Sequence, residues 1–186
     1  MSNFEFVFSL FGLLLGLALA EVLGGFGNAI QSRRRLRIGW LTPLLGLLVA
    51  IDLTSFWMTA WRVRDLIPAS NMTLYAGLAV IGLYYLTARI TFPHDLEEWP
   101  DLDAYYFEHK KYVLGGVIAC NLMALAGIAA IANNPFAHWE AWLVSISFIV
   151  PAVAAIVLRG RRVNAALLAF MILLYPGMDL FWRFVG

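Results

Sequence analysis

An aspartate midway along an apolar stretch is the most chemically loaded position in this chain. Asp52 lies in the run 40–61, and Ser55, Thr59 and Arg62 follow at +3, +7 and +10. On an α-helix these four share one face. A carboxylate is costly in hydrocarbon, so it must be neutral, paired or in contact with water. The row therefore predicts a polar, water-lined path from mid-membrane to one surface. The competing reading is a seam between helices, in which Ser and Thr bond their own backbone. Glu21 is a second acid inside an apolar stretch. Arg89 is its expected partner, because helical side chains lean toward the helix N-terminus and bring the guanidinium to the depth of Glu21. The pair reads either as a proton or ion relay or as a structural ion pair ordering a bundle. Asp179 and Arg183 stand acid before base, one turn apart, which predicts an ordinary surface pair at the outer end of the last stretch.

The elements that position these groups are read from hydropathy. Hydrophobic residues make up 62% of the 186 and charged residues 13%, against roughly 45–50% apolar content in soluble domains. Six apolar stretches run at about 4–30, 40–61, 72–92, 112–132, 139–158 and 163–185, each long enough for a transmembrane helix. The expected fold is all-α: a single domain, 1–186, forming a polytopic bundle of six transmembrane helices. No room remains for a soluble catalytic domain. Of 13 Lys and Arg residues, ten fall in the last turn of, or after, the first, third and fifth stretches, at Arg33, Arg34, Arg35, Arg37, Arg89, Lys110, Lys111, Arg159, Arg161 and Arg162. The positive-inside rule then gives an N-out, C-out topology. Trp61, Trp139, Trp142 and Trp182 at the outer ends, with Trp40, Trp99 and Tyr112 at the inner ends, fit an interfacial belt. The segment from Phe6 to Ala20 resembles a signal-peptide core, but Glu5 precedes it and the Arg cluster follows it, so a retained first span is expected. Proline is tolerated at Pro43, in a first turn, whereas Pro151 and Pro176 should kink the fifth and sixth helices.

The substantial loop, 93–111, carries Asp95, Glu97, Glu98, Asp101, Asp103 and Glu108 and is expected to be solvated. Within it Leu102, Tyr105, Tyr106 and His109 recur at helical spacing, predicting a short interfacial helix between the third and fourth spans. Both lysines belong to this loop. Cation binding by His94, Asp95, Glu97 and Glu98, or by Asp101, Asp103 and His109, lacks the ordered spacing of a calcium loop. Gly12, Gly16, Ala20 and Gly24 form a four-residue stripe that lets helix backbones approach closely, against the chain's own bundle or against a second subunit. Asn121 reads as a structural amide in the fourth span.

Much is excluded. All three histidines lie in loops, which removes axial pairs for an intramembrane haem, and no span carries a lysine for a Schiff base. H-E-x-x-H, C-x-x-C and G-x-S-x-G are absent, and Gly25-Phe26-Gly27 lies in a membrane span rather than after a strand. No metal or cofactor is expected, nor nucleic-acid binding, for want of a basic module. Cys120, alone of its type, forms no internal disulfide.

The segment Gly16 to Phe26, Phe56-Trp57 with Trp61, Phe92-Pro93 and Asp101 to Tyr106 resemble a group of small bacterial multi-pass inner-membrane proteins that carry no assigned activity. The resemblance covers the first four spans best and implies a bacterial inner membrane, across which the N-out, C-out topology read from the charges puts both termini on the periplasmic side. The residues themselves lead to a small channel or transporter for protons or small ions, working through its intramembrane acids. The alternative is a non-transporting accessory, scaffold or sensor protein presenting the acidic loop. A lipid-modifying enzyme with Glu21 or Asp52 as base ranks last, lacking a nucleophile and a metal motif, so no enzyme is expected. The expected partners are the lipid bilayer and a homo-oligomer or membrane partner protein.

Overall fold

The computed structural model describes residues 3–34, 37–68, 70–96, 98–99, 101–131 and 139–185, the side chains of 3–7, 131, 139–141, 144 and 179–185 excepted. Apart from turns and connecting segments, these residues are helical. The order is α1 (Asn3–Ser32), α2 (Leu41–Arg62), a single 3-10 turn (Arg64–Leu66), α3 (Asn71–Arg89), α4 (Leu102–Ile131), α5 (Trp139–Val157) and α6 (Arg161–Val185). Among the described residues the only β pairing is an isolated bridge between Arg37 and Asp101.

Local chemistry sets the boundaries. Ser70 caps α3 by accepting from the Thr73 amide at 3.2 Å, and Asp101 caps α4 by accepting from the Ala104 amide at 2.6 Å, each satisfying an orphan donor of the first turn. At its other end α3 stops at Arg89, short of the expected residue 92. Phe92 and Pro93 are buried instead, Phe92 as part of the core, and the residue before a proline is disfavoured in a helix. Both α5 and α6 continue through their internal prolines, Pro151 and Pro176.

Phe8–Ser32 within α1, Leu41–Arg62, Asn71–Arg89 and Leu102–Ala130 within α4 are long and apolar enough to cross a membrane, and α5 adds the shorter apolar run Ser145–Val157. This composition suits a membrane location. The central helix is α2, against α1, α4 and α6; α3 lies between α1 and α4, and α5 between α4 and α6. Leu45, Leu48, Val49, Ile81, Leu114 and Leu168 are among the buried apolar residues of one continuous core.

The loop helix is not separate: Leu102, Tyr105, Tyr106 and His109 are the first turns of the 30-residue α4. A 3.6-residue period is common to an interfacial helix and a buried one, and here Leu102 and Tyr106 are buried in the core. At 1.5 Å per residue α4 is about 45 Å long, some 15 Å more than a hydrocarbon core requires. The small-residue stripe also faces differently along its length. A Cβ at Gly12 would overlap the Trp57 ring, but Gly16 and Gly24 have nothing near them and Ala20 is exposed. The packed face of α1 is Leu15, Ala18, Val22 and Ala29. Ala20 and Ala29, nine residues apart, point in directions about 180° apart on a 3.6-residue helix.

The acidic loop is tied down rather than solvated where it meets α4. Asp103 accepts from the amides of Trp40 and Leu41 at 3.1 and 3.0 Å, capping α2 from a distance. The Leu102 amide donates to the Arg37 carbonyl at 3.1 Å, and Thr42 Oγ1 donates to the Leu102 carbonyl at 2.5 Å. Arg161, at the start of α6, pairs with Asp101 at 3.5 Å and Asp103 at 3.8 Å. Gly39 makes the buckle possible. Its φ is +63, and a Cβ there would overlap the Asp103 carboxylate. Gly39→Ala is expected to cost about 2 kcal/mol, from left-handed strain and a weakened cap. An unchanged thermal midpoint in detergent would contradict the buckle.

Candidate functional site

Asp52 lies at the centre of α2 with 2% of its surface exposed. Its carboxylate is held by three other helices. Tyr84 of α3 donates its hydroxyl to Oδ2 at 2.8 Å, Asn121 of α4 donates Nδ2 to Oδ1 at 3.0 Å, and Tyr175 of α6 donates its hydroxyl to the same oxygen. Ring contacts brace both phenols, Phe56 against Tyr84 at 5.2 Å and Phe148 against Tyr175 at 6.2 Å. Asn121 also bonds the Val117 carbonyl of its own helix at 3.0 Å, which fixes the direction of its amide. Among the described residues no cation pairs with Asp52, and no buried side-chain oxygen or nitrogen lacks a partner. The arrangement is a closed carboxylate cage of neutral donors.

The cage differs from the polar row read along α2. Thr59 Oγ1 donates to the Ser55 carbonyl at 2.9 Å, so this hydroxyl serves its own helix. Ser55 is half-buried and Arg62 is exposed at the helix end. Among the described residues Asp52 bonds none of Ser55, Thr59 and Arg62; its partners come from elsewhere in the chain. Tyr84 and Tyr175 carried no signal beyond a hydroxyl inside an apolar stretch, which needs an acceptor when buried. Asn121, expected as a structural amide, bonds Asp52 across the helix boundary.

Glu21 and Arg89 do meet. Arg89 Nη1 donates to Glu21 Oε2 at 2.8 Å, Tyr85 adds its hydroxyl at 3.3 Å, and the second Arg89 nitrogen lies 3.3 Å from His94 Nδ1. The pair lies at the surface of the bundle between α1 and α3, with Glu21 28% and Arg89 49% exposed. No hydrogen bond joins it to Asp52 among the described residues. Exchanging the two charges (Glu21→Arg with Arg89→Glu) should restore folded yield above that of either single change. A double variant no better than the singles would mean that the pair contributes nothing.

A second buried polar group was not anticipated. Lys110 belongs to α4 rather than to a loop, and it is only 4% exposed. Its ammonium donates to the carbonyls of Ala155 and Leu158 at 2.5 Å each and to Asn164 Oδ1 at 3.2 Å. Asn164 donates in turn to the Leu158 and Gly160 carbonyls and accepts from the Tyr106 hydroxyl at 2.7 Å. The cation thus closes the C-terminus of α5, where unpaired carbonyls concentrate negative potential.

His109 stacks on Tyr105 at 4.0 Å with Trp99 against its edge. Asp101 and Asp103 are engaged by the buckle, and among the described residues no three His, Cys, Asp or Glu side chains converge as metal ligands. Cys120 is buried beside the cage, its Sγ donating to the Val80 carbonyl at 3.7 Å. Glu97 and the side chains of Asp179 and Arg183 lie outside the described residues. No protein-family model matches this chain, and no curated protein or solved structure is detectably similar to it.

Proposed function

We propose that this chain is a small integral membrane transporter for protons or small ions, with Asp52 as the group that takes up and releases the proton. One observation carries the reading: a buried carboxylate at the middle of the bundle, held by neutral donors from three other helices. An ionised carboxylate only accepts hydrogen bonds. On taking a proton it becomes a donor to one tyrosine oxygen, and that hydroxyl must turn its own hydrogen elsewhere. The proton thereby changes the contacts of α2 with α3 or α6, which is the coupling between charge and helix packing that alternating access requires. In the closed arrangement Asp52 is sealed, so the cycle needs a second arrangement that opens it.

In this reading all six helices cross the membrane, the termini lie on the same, periplasmic side, and the membrane is a bacterial inner membrane. The basic residues at the α1, α3 and α5 C-termini support that orientation. The exposed Gly16, Ala20 and Gly24 support assembly with a second copy. They are equally suited to a helix of another protein, which is the observation that favours an accessory or scaffold role; a stable, solitary homo-oligomer on purification would count against that role. Transport itself is tested by reconstitution. Vesicles holding the wild-type protein should dissipate an imposed pH gradient faster than protein-free vesicles, and vesicles holding Asp52→Asn should not.

A further inference from the structure

The basic end of the bundle carries a groove between α4 and α5 that the proton reading leaves unused. Its cavity volume is about 680 Å³, and Phe107, Glu108, Lys110, Lys111, Ile156 and Arg159 line it. Three cations face one carboxylate, a local net charge of +2. The roles of the cations differ. Lys110 has its donors committed to the α5 terminus and to Asn164, so it contributes charge and not contact. Lys111 and Arg159 are exposed and able to bond a ligand. Lys111 Nζ lies over the Tyr112 ring at 4.8 Å.

The level of the groove identifies its occupant. From Tyr112 to the end of α4 at Ile131 the helix covers about 30 Å, the thickness of a hydrocarbon core. Lys111 therefore stands at the boundary between headgroups and acyl chains, and α5 ends beside it. Ile156 lines the groove, and Val153, one turn away on α5, is exposed together with Val150 and Val157, which places apolar surface next to the groove. A cationic groove bordered by apolar side chains suits a phospholipid with a net negative headgroup.

We propose that this groove binds an anionic phospholipid, its phosphate on Lys111 and Arg159, a headgroup hydroxyl on Glu108 and an acyl chain along α5. The proposal rests on the membrane reading and is independent of transport. It is tested by titrating detergent-solubilised, full-length protein with phosphatidylglycerol and following adducts by native mass spectrometry. Wild-type protein should bind phosphatidylglycerol about tenfold or more tightly than phosphatidylcholine or phosphatidylethanolamine. Lys111→Gln with Arg159→Gln should weaken it about 30-fold, the equivalent of about 1 kcal/mol per cation. Arg159→Gln alone should weaken it about fivefold and serves if the double variant does not fold. Arg33→Gln with Arg34→Gln, an equal loss of charge outside the groove, should bind as wild type does. Equal loss in that control, or equal affinity for the zwitterionic lipids, would overturn the site. Competition by inorganic phosphate at a matching Kd would overturn the lipid as its occupant.

Discussion

Asp52→Ala is expected to lower the stability of the bundle by about 3 kcal/mol, whereas Asp52→Asn is expected to cost about 1 kcal/mol. The asymmetry follows from what each change leaves behind. Alanine removes the acceptor for the hydroxyls of Tyr84 and Tyr175 and for the Asn121 amide. A buried donor without a partner costs roughly 1–3 kcal/mol, although hydrogen bonds between membrane helices average nearer 0.6 kcal/mol in double-mutant cycles. Three donors with partial relaxation give the figure of about 3 kcal/mol. Asparagine keeps the shape and one carbonyl oxygen, and a tyrosine hydroxyl can reverse to accept from the new amide. Unfolding in mixed micelles of rising SDS content measures both. Equal costs for Ala and Asn would mean that the donors find other partners and the cage does not hold the helices together.

Reversing the charge at Lys110 is expected to be the most damaging change at the basic end. Lys110→Glu should cost about 4 kcal/mol or prevent assembly, because it buries a carboxylate against the carbonyls that the ammonium now closes at the negative end of α5. Lys110→Met keeps the length of the side chain and loses only the donors. The Leu158 carbonyl still receives Asn164 Nδ2 and Asn164 Oδ1 still receives the Tyr106 hydroxyl, so the Ala155 carbonyl loses most. A charged hydrogen bond contributes about 1.5–3 kcal/mol, and relief from burying the ammonium offsets part of its loss. Lys110→Met is therefore expected to cost about 2 kcal/mol. The order wild type, Met, Glu in unfolding midpoint checks the assignment. A Met variant more stable than wild type would show that desolvation outweighs the three contacts.

Length and hydropathy made most helices legible. The expected stretches 40–61 and 139–158 differ by a residue or so from Leu41–Arg62 and Trp139–Val157. The start of α4 was hidden, because Asp103, Glu108, Lys110 and Lys111 interrupt the hydropathy of the 30-residue helix. Lys110 looked like any lysine placed by the positive-inside rule; its burial depends on the end of α5, 45 residues away. Glu21 and Arg89 could be paired in advance because few charges share their depth. Asp52 stood out for the same reason, but its partners did not. Tyr84 and Tyr175 reach it across 32 and 123 residues, a proximity that only the packing of α2 against α3 and α6 creates. The spacing of Gly12, Gly16, Ala20 and Gly24 defined a face without defining what it faces, and three of the four turn outward.

Proton flux in proteoliposomes, wild type beside Asp52→Asn, tests the central claim most directly. The Asn variant should fold, since it loses about 1 kcal/mol, and yet it cannot take up and release a proton at this position. The imposed pH gradient should collapse with the wild-type protein and persist with the variant at equal reconstitution. Equal flux in the two would remove Asp52 from the conduction path and contradict the account.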